Sequence, residues 1–509
     1  MPYVPVFFGI LSIITLYYIG VLINSHQVGL WAGLLLALNG LEIFFARYST
    51  SEIVGQCFFL CGLLFFLISA GRGPKFAGVL AALAWSLAIL TRFDAVIFIV
   101  CGLFLLWLGK PFFSGYTFST TFLKSLVIFF PIVFLYLHIF CNYQGIYLPY
   151  FQRSDHLRPL VGLYERFPDL AQYSIIMVFW ILGIMFVVRL LAPQYQSASL
   201  RDFSPALSDS GLGHKLRQFK ERSRRLPGIL LRLAAVLVSL YVLYDYYVHQ
   251  RCDLLLTGRW LGWYFGKGVV VLFILALYRL FIHDLMLNRE EKILPLFAFL
   301  IPVGLIYLYK PHVEPFQIWA MRRFVSVFLP LVLVLALAAL KNEIERIFAA
   351  GRARSLSFGI VVLFVALNFI SYSRFIIGQP LERDVLPQLQ QSVAKIPHRS
   401  IVLFERQMAG LHLHTSLKFT TGMDTLILQQ DFSRLNAIHL FIRTMLSNGR
   451  PVIVVMRQSP DRIVPSGYKL TRVTQFSLTI SKLERSILRR PTRVHTYDYP
   501  FALYRLIMK

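Results

Sequence analysis

Over the first 377 residues, long uncharged apolar runs alternate with short polar breaks. A helix that crosses a bilayer needs about 20 predominantly apolar residues. By that measure the pattern predicts twelve spans, at about 3–23, 29–45, 53–70, 76–91, 93–109, 121–141, 174–192, 228–248, 263–283, 293–309, 324–340 and 356–376. Between the fourth and fifth, Thr91-Arg92-Phe93-Asp94 is the only break, which requires a very tight turn or a bent helix. After Gly378 the pattern changes. Glu382 to Lys395 reads as an amphipathic helix and Ser400 to Phe404 as a buried strand. Asp431 caps a helix that runs through Phe441 to Leu446 and stops at Asn448-Gly449, and Pro451 to Met456 is a second strand. The expected fold class is an α-helical polytopic membrane protein, residues 1–377, with a small C-terminal α/β soluble domain, residues 378–509.

Composition supports that class. Hydrophobic residues make up 57% of the chain, with 45 Phe and a mean hydropathy of +0.63, above the usual apolar share of a soluble domain. Lys and Arg number 51 against 25 Asp and Glu. A nucleic-acid partner is not implied, because the basic residues concentrate in loops between spans, where cytoplasmic loops carry them. The segments 193–227 and 341–355 and the turn Gly71-Arg72-Gly73-Pro74-Lys75 are the basic ones. Placing all three in the cytoplasm puts Ala46–Glu52, Thr91–Asp94, 142–173, 249–262, Lys310–Arg323 and the C-terminal domain on the outer face. The five cysteines (Cys57, Cys61, Cys101, Cys141, Cys252) lie in or beside apolar runs; Cys57 and Cys61 stand one helical turn apart, and no histidine or further cysteine is spaced to complete a metal site with that pair.

The outward breaks carry the candidate chemistry. They hold Arg47 with Glu52, Arg92 with Asp94, a polar and aromatic loop at 142–173, and Lys310-Pro311-His312-Val313-Glu314 followed by Trp319, Arg322 and Arg323. A guanidinium fork suits phosphate oxygens, and aromatic side chains sit well at headgroup depth. Each pair also reads as a structural ion pair joining helix ends. What favours a phosphate site is their gathering on the face that the distribution of basic loops should leave poor in cations.

These residues resemble the lipid-linked-sugar glycosyltransferases of the GT-C fold, in the bacterial branch of the protein mannosyltransferase and aminoarabinose transferase superfamily. Ala46-Arg47-Tyr48-Ser49-Thr50-Ser51-Glu52 is similar to that family's turn after an apolar helix, here ending in Leu-Asn-Gly-Leu-Glu. Ala88 to Asp94 is similar to its segment whose basic residue contacts the carrier phosphate, and Trp319 to Phe324 with Leu329-Pro330 to the entry of a late span. The resemblance implies a polyprenyl-phosphate-linked sugar as donor, a lipid or protein acceptor, and the bacterial inner membrane with an extracytoplasmic C-terminal domain. It implies donor-phosphate contacts by Arg92, Arg47, Arg322 and Arg323, with Glu52, Asp94, His312 and Glu314 in support. The implied reaction is displacement at the sugar anomeric carbon; no metal ligand is assigned, and a divalent cation remains open. The family's first span and the acidic loop that carries its catalytic carboxylate have no counterpart, so a chain shortened at its amino terminus is expected and no general base is assigned. Two other readings stand beside this one. A transporter of lipid-linked sugars predicts inverted repeats and mid-span charges, neither of which the sequence displays. A non-catalytic membrane scaffold accommodates the missing acidic loop.

Overall fold

The computed structural model describes residues 3–47, 50–70, 73–92, 94–109, 121–126, 128–130, 260–279, 293–309, 321–322, 324–348, 351–377, 385–394, 396–397, 399–404, 417–418, 422–427, 436–457, 467–484 and 493–508. The chain divides into two compact units, Met1–Ile377 and Gly378–Lys509. The expected spans at 174–192 and 228–248, and most of 121–141, lie outside the described residues, as do the loop 142–173, Arg323, His312 and Glu314.

The first unit is helical. Its principal described elements are α1 (Tyr3–Ile23), α2 (His26–Ala37), α3 (Gly40–Arg47), α4 (Ser51–Ala70), α5 (Lys75–Thr91), α6 (Ala95–Gly109), α7 (Lys267–Arg279), α8 (Leu294–Tyr309), α9 (Phe328–Ile347) and α10 (Arg352–Ile377). Among the described residues three helices are long and apolar enough to cross a membrane: Tyr3–Ile23, Ser51–Ala70 and Arg352–Ser371. On α1 and α10 most outward-facing side chains are themselves apolar. On α1, Phe7, Ile10 and Tyr18 are 58%, 53% and 52% exposed, and α10 turns Leu356, Leu363 and Phe364 outward. Water would penalise such a surface, whereas hydrocarbon accepts it. The protein is a membrane protein. At the centre, α9 is buried on every side from Phe328 to Leu340, which its unbroken apolar sequence permits.

One expectation needs correction. The run 29–45 is not a single straight span but the helix pair α2 and α3, bent by 57°. Asn39 makes the break stable. Its Oδ1 accepts from the amides of Leu41 at 2.7 Å and Glu42 at 3.2 Å, its Nδ2 donates to the Tyr264 carbonyl, and Gly40 N–H donates to Ser373 Oγ. Those amides open a new helix and would otherwise be orphaned in an apolar interior.

Two glycines a heptad apart on one face of α4 bring α5 close. A Cβ on Gly62 would lie 2.3 Å from the Trp85 ring, and one on Gly55 would lie 2.8 Å from Arg92 Cδ. Trp85 anchors the contact by donating from Nε1 to the Phe59 carbonyl at 3.2 Å. Phe66, Phe122 and Phe299 pack around its ring.

The second unit holds α11 (Val385–Val393), β1 (Ile401–Phe404), β2 (Asp424–Ile427), α12 (Asn436–Ser447), β3 (Val452–Met456), β4 (Tyr468–Leu483) and β5 (Val494–Met508). They form a five-stranded sheet of order β2-β1-β3-β5-β4. The first three strands are parallel, and β5 is antiparallel to both β3 and β4. Covered on both faces, β1 and β3 read as unbroken apolar runs. Leu389 and Leu417 pack on one face with Val402, Phe404, Ile453 and Val455; Ile442 of α12 packs on the other with Ile401, Leu403, Val452 and Val454. Gly449 ends α12 with φ +71°, and the Arg450 amide reaches back to the Met445 carbonyl. The strands expected at 400–404 and 451–456 and the helix between them are present; Asp431, expected to cap that helix, lies outside the described residues. To them the structure adds β2 and the long β4–β5 ribbon.

Candidate functional site

Glu52 stands in the first turn of α4, where the helix dipole favours a carboxylate. It is the meeting point of three segments far apart in sequence. Arg92 Nη1 lies 3.2 Å from Glu52 Oε1, and Arg322 Nε lies 3.7 Å from the same oxygen. Arg92 caps the C-terminus of α5 with extended backbone, its amide bonded to the Ala88 carbonyl at 2.8 Å. A cation there complements the dipole of α5. The Thr91–Asp94 break is therefore a tight turn: the Ala95 amide bonds the Arg92 carbonyl, and α6 begins at once.

Inside that turn, Arg92 grips Asp94 with two parallel bonds, Nε to Oδ1 at 2.9 Å and Nη2 to Oδ2 at 2.5 Å. This is the fork geometry in which an arginine–carboxylate pair is strongest. Tyr307, near the end of α8, donates its hydroxyl to Asp94 Oδ2 at 2.5 Å. The side chains of Arg92 and Glu52 are only 9% and 6% exposed; those of Asp94 and Arg322 are 28% and 34%. Burial alone would lower the affinity of the Arg92 guanidinium for its proton. Asp94, and then Glu52, outweigh it and push Arg92 above the ordinary arginine range.

Three of the predicted clusters thus meet: Glu52, the Arg92–Asp94 pair, and Arg322. The ion pairs given to Glu52 among the described residues run to Arg92 and Arg322, and Arg47 ends α3 as an exposed residue. Arg323, His312 and Glu314 lie outside the described residues. Sequence reasoning missed Tyr307, whose signal was a hydroxyl in the Tyr-Leu-Tyr end of an apolar run. It also missed Gly55, whose lack of a Cβ makes room for the Arg92 stem.

A second polar group lies one turn deeper. Gln56, four residues after Glu52, donates Nε2 to Glu42 Oε1 at 3.1 Å, and both side chains are buried. Glu42 Oε2 and Gln56 Oε1 have no hydrogen-bond partner among the described residues. In the sequence Glu42 ends the Leu-Asn-Gly-Leu-Glu segment inside the apolar run 29–45.

No protein-family model matches the sequence, and no curated protein matches it either. Distant solved structures do. The oligosaccharyltransferase AglB of the archaeon Archaeoglobus fulgidus, solved with an inhibitory peptide and a dolichol-phosphate, is similar at 13% identity and a TM-score of 0.43. That match covers 89% of this chain and 58% of AglB, so the chain spans less than two thirds of the archaeal enzyme's length. ArnT of Cupriavidus metallidurans bound to undecaprenyl phosphate is similar at 16% identity and a TM-score of 0.35, over 98% of this chain and 83% of ArnT. Both are remote likenesses, and the chemistry of this site rests on its own residues.

The arrangement separates two kinds of arginine. Arg92 is enclosed between two carboxylates, with Nε and Nη2 bonded to Asp94 and Nη1 in an ion pair with Glu52 but without a hydrogen-bond partner among the described residues. Arg322 is one-third exposed, and its ion pair among the described residues is with Glu52 at 3.7 Å. Glu52 can therefore hold Arg322 in place while the outer edge of the guanidinium meets an anion.

Proposed function

We propose that the chain is an integral-membrane glycosyltransferase of the GT-C type. It takes a sugar from a polyprenyl-phosphate donor at the extracytoplasmic surface and passes it to a lipid or protein acceptor. The observation that carries this reading is Arg322, paired with buried Glu52 and one-third exposed. Arg322 is the principal contact to the carrier phosphate, and its charge stabilises the phosphate as it leaves the anomeric carbon. Arg92, Asp94 and Tyr307 hold Glu52 and the turn that carries it; Arg92 is thereby a positioning residue rather than a direct phosphate ligand. Arg323 and Arg47 supply further positive charge at the same face. Glu52 and Asp94 are committed to arginines, so neither is assigned as the acceptor's base. A divalent cation remains open as a cofactor.

A second reading is favoured by charge balance. The two guanidiniums and two carboxylates of the described cluster sum to zero, which is what a structural staple in a non-catalytic scaffold needs. The two readings separate in membranes supplied with radiolabelled polyprenyl-phospho-sugars of mannose, glucose and aminoarabinose. The transferase reading expects label to leave one of these donors with the wild-type chain and at least tenfold less with Arg322→Met. No loss of label from any donor leaves the scaffold reading in its place.

A further inference from the structure

Glu42 is the only charged residue in the apolar run 29–45. The break between α2 and α3 sets its place: Asn39 Oδ1 accepts from the Glu42 amide at 3.2 Å, and the Glu42 side chain is left 3% exposed. Gln56, in the second turn of α4, meets it with 0% exposure. Gly9 of α1 comes against the same carboxylate. A Cβ on Gly9 would lie 3.9 Å from Glu42 Oε1, and 3.6 and 3.7 Å from the side chains of Ile53 and Ala46. Three helices thus enclose two polar heads.

One hydrogen bond joins those heads, from Gln56 Nε2 to Glu42 Oε1 at 3.1 Å. It leaves one buried oxygen over on each, Glu42 Oε2 and Gln56 Oε1, neither with a hydrogen-bond partner among the described residues. An ionised carboxylate and an amide carbonyl only accept, so neither oxygen can satisfy the other. Charge is unbalanced as well. The ion pairs of this region run from Arg92 and Arg322 to Glu52 and Asp94, and none among the described residues reaches Glu42. Helix α1 carries no charged residue, Arg47 at the end of α3 and Arg374 on α10 are exposed, and Cys57 follows Gln56 on α4 as a buried thiol. A buried water would donate to both oxygens yet leave a bare carboxylate in the interior, where an unpaired charge is costly.

We propose that this pair seats one monovalent cation, a proton or a sodium ion, held between Glu42 Oε2 and Gln56 Oε1. A single positive charge neutralises the carboxylate and satisfies both oxygens at once; a divalent ion would leave one charge in excess. As a proton, it makes Glu42 an acid that donates to the amide carbonyl while accepting from the amide nitrogen. As a sodium ion, it takes two oxygens of the kind that hard cations prefer. In both forms the cation ties α3 to α4 below Glu52. The seat does not depend on sugar transfer.

The test uses the full chain in lipid nanodiscs near neutral pH, with two readouts. Infrared spectra in heavy water report a protonated carboxylic acid through its C=O stretch. Melting temperature in sodium chloride, against choline chloride at equal ionic strength, reports a bound sodium ion. A proton gives an acid band that is lost in Glu42→Gln, with melting independent of sodium. A sodium ion gives a higher melting temperature in sodium chloride, also lost in Glu42→Gln, and no acid band. Glu42→Gln should itself melt close to wild type, because its new amide donates to Gln56 Oε1 with no charge left to balance. Gln56→Met keeps Glu42 and removes the partner oxygen, so it should shift the acid band or abolish the sodium effect. Absence of both signals in the wild type overturns the proposal and leaves an ordinary buried water. So does either signal persisting unchanged in Glu42→Gln or in Gln56→Met, which would place it on another group.

Discussion

At the end of the helical unit where α9 meets α10, Lys341 pairs with Glu345 at 3.7 Å, Arg346 with Glu343 at 3.3 Å and Arg354 with Glu345 at 4.0 Å. These side chains are 15% to 43% exposed. Where α4 begins and α5 ends, Arg92 and Glu52 meet at 3.2 Å with less than a tenth of either side chain exposed. Both ends carry arginines and carboxylates in similar number. What differs is the solvent around them. Exposed pairs are screened and contribute about 0–1 kcal/mol. An enclosed network makes each member depend on the others, because removing one strands a charge where water cannot reach it. The first kind of pair can be lost without consequence, but the second fixes a geometry, and a fixed geometry is what an anion site requires.

The largest effect that would break this contrast is Arg92→Met. It leaves Glu52 and Asp94 facing each other without their shared cation, and a loss of about 3–5 kcal/mol is expected from thermal unfolding in detergent. Gly55→Ala should follow. Its new methyl meets Arg92 Cδ at 2.8 Å, and displacing the guanidinium from Asp94 should cost about 1–3 kcal/mol. Arg322→Met should lower stability by under about 1 kcal/mol, since its long, part-exposed pair is screened. Smallest is Glu345→Gln at the opposite end, expected within about 0.5 kcal/mol of wild type even though it removes two ion pairs. A loss with Glu345→Gln equal to that of Arg92→Met would erase the distinction.

Much of this was legible in the sequence, for reasons that differ by element. The helices α1, α4, α5 and α8 follow from apolar runs, and β1 and β3 from continuous aliphatic stretches bounded by turn residues. The α2–α3 break was signalled by Asn39-Gly40 inside an apolar run, but hydropathy averages over one polar residue, so 29–45 read as a single span. The β4 strand carries alternation in Phe476, Leu478 and Ile480 but stands outside any strand–helix–strand unit; β2, at four residues, is too short for periodicity to register. At the site, residue types and their clustering at span ends pointed to Arg92, Asp94, Glu52 and Arg322. That Glu52 pairs with Arg92 and Arg322 is a tertiary fact, set by how α4, α5 and the segment before α9 pack. The same holds for Tyr307, which only the approach of α8 brings to Asp94.

The account turns on Arg322 being one-third exposed while Arg92 is enclosed. The most direct measurement is the affinity of the nanodisc-embedded chain for undecaprenyl phosphate, comparing wild type with Arg322→Met and with Arg346→Met at the opposite end. The account predicts at least a tenfold loss for Arg322→Met, with Arg346→Met at wild-type affinity and both variants folded. Wild-type affinity in Arg322→Met would contradict it, as would an equal loss in the two.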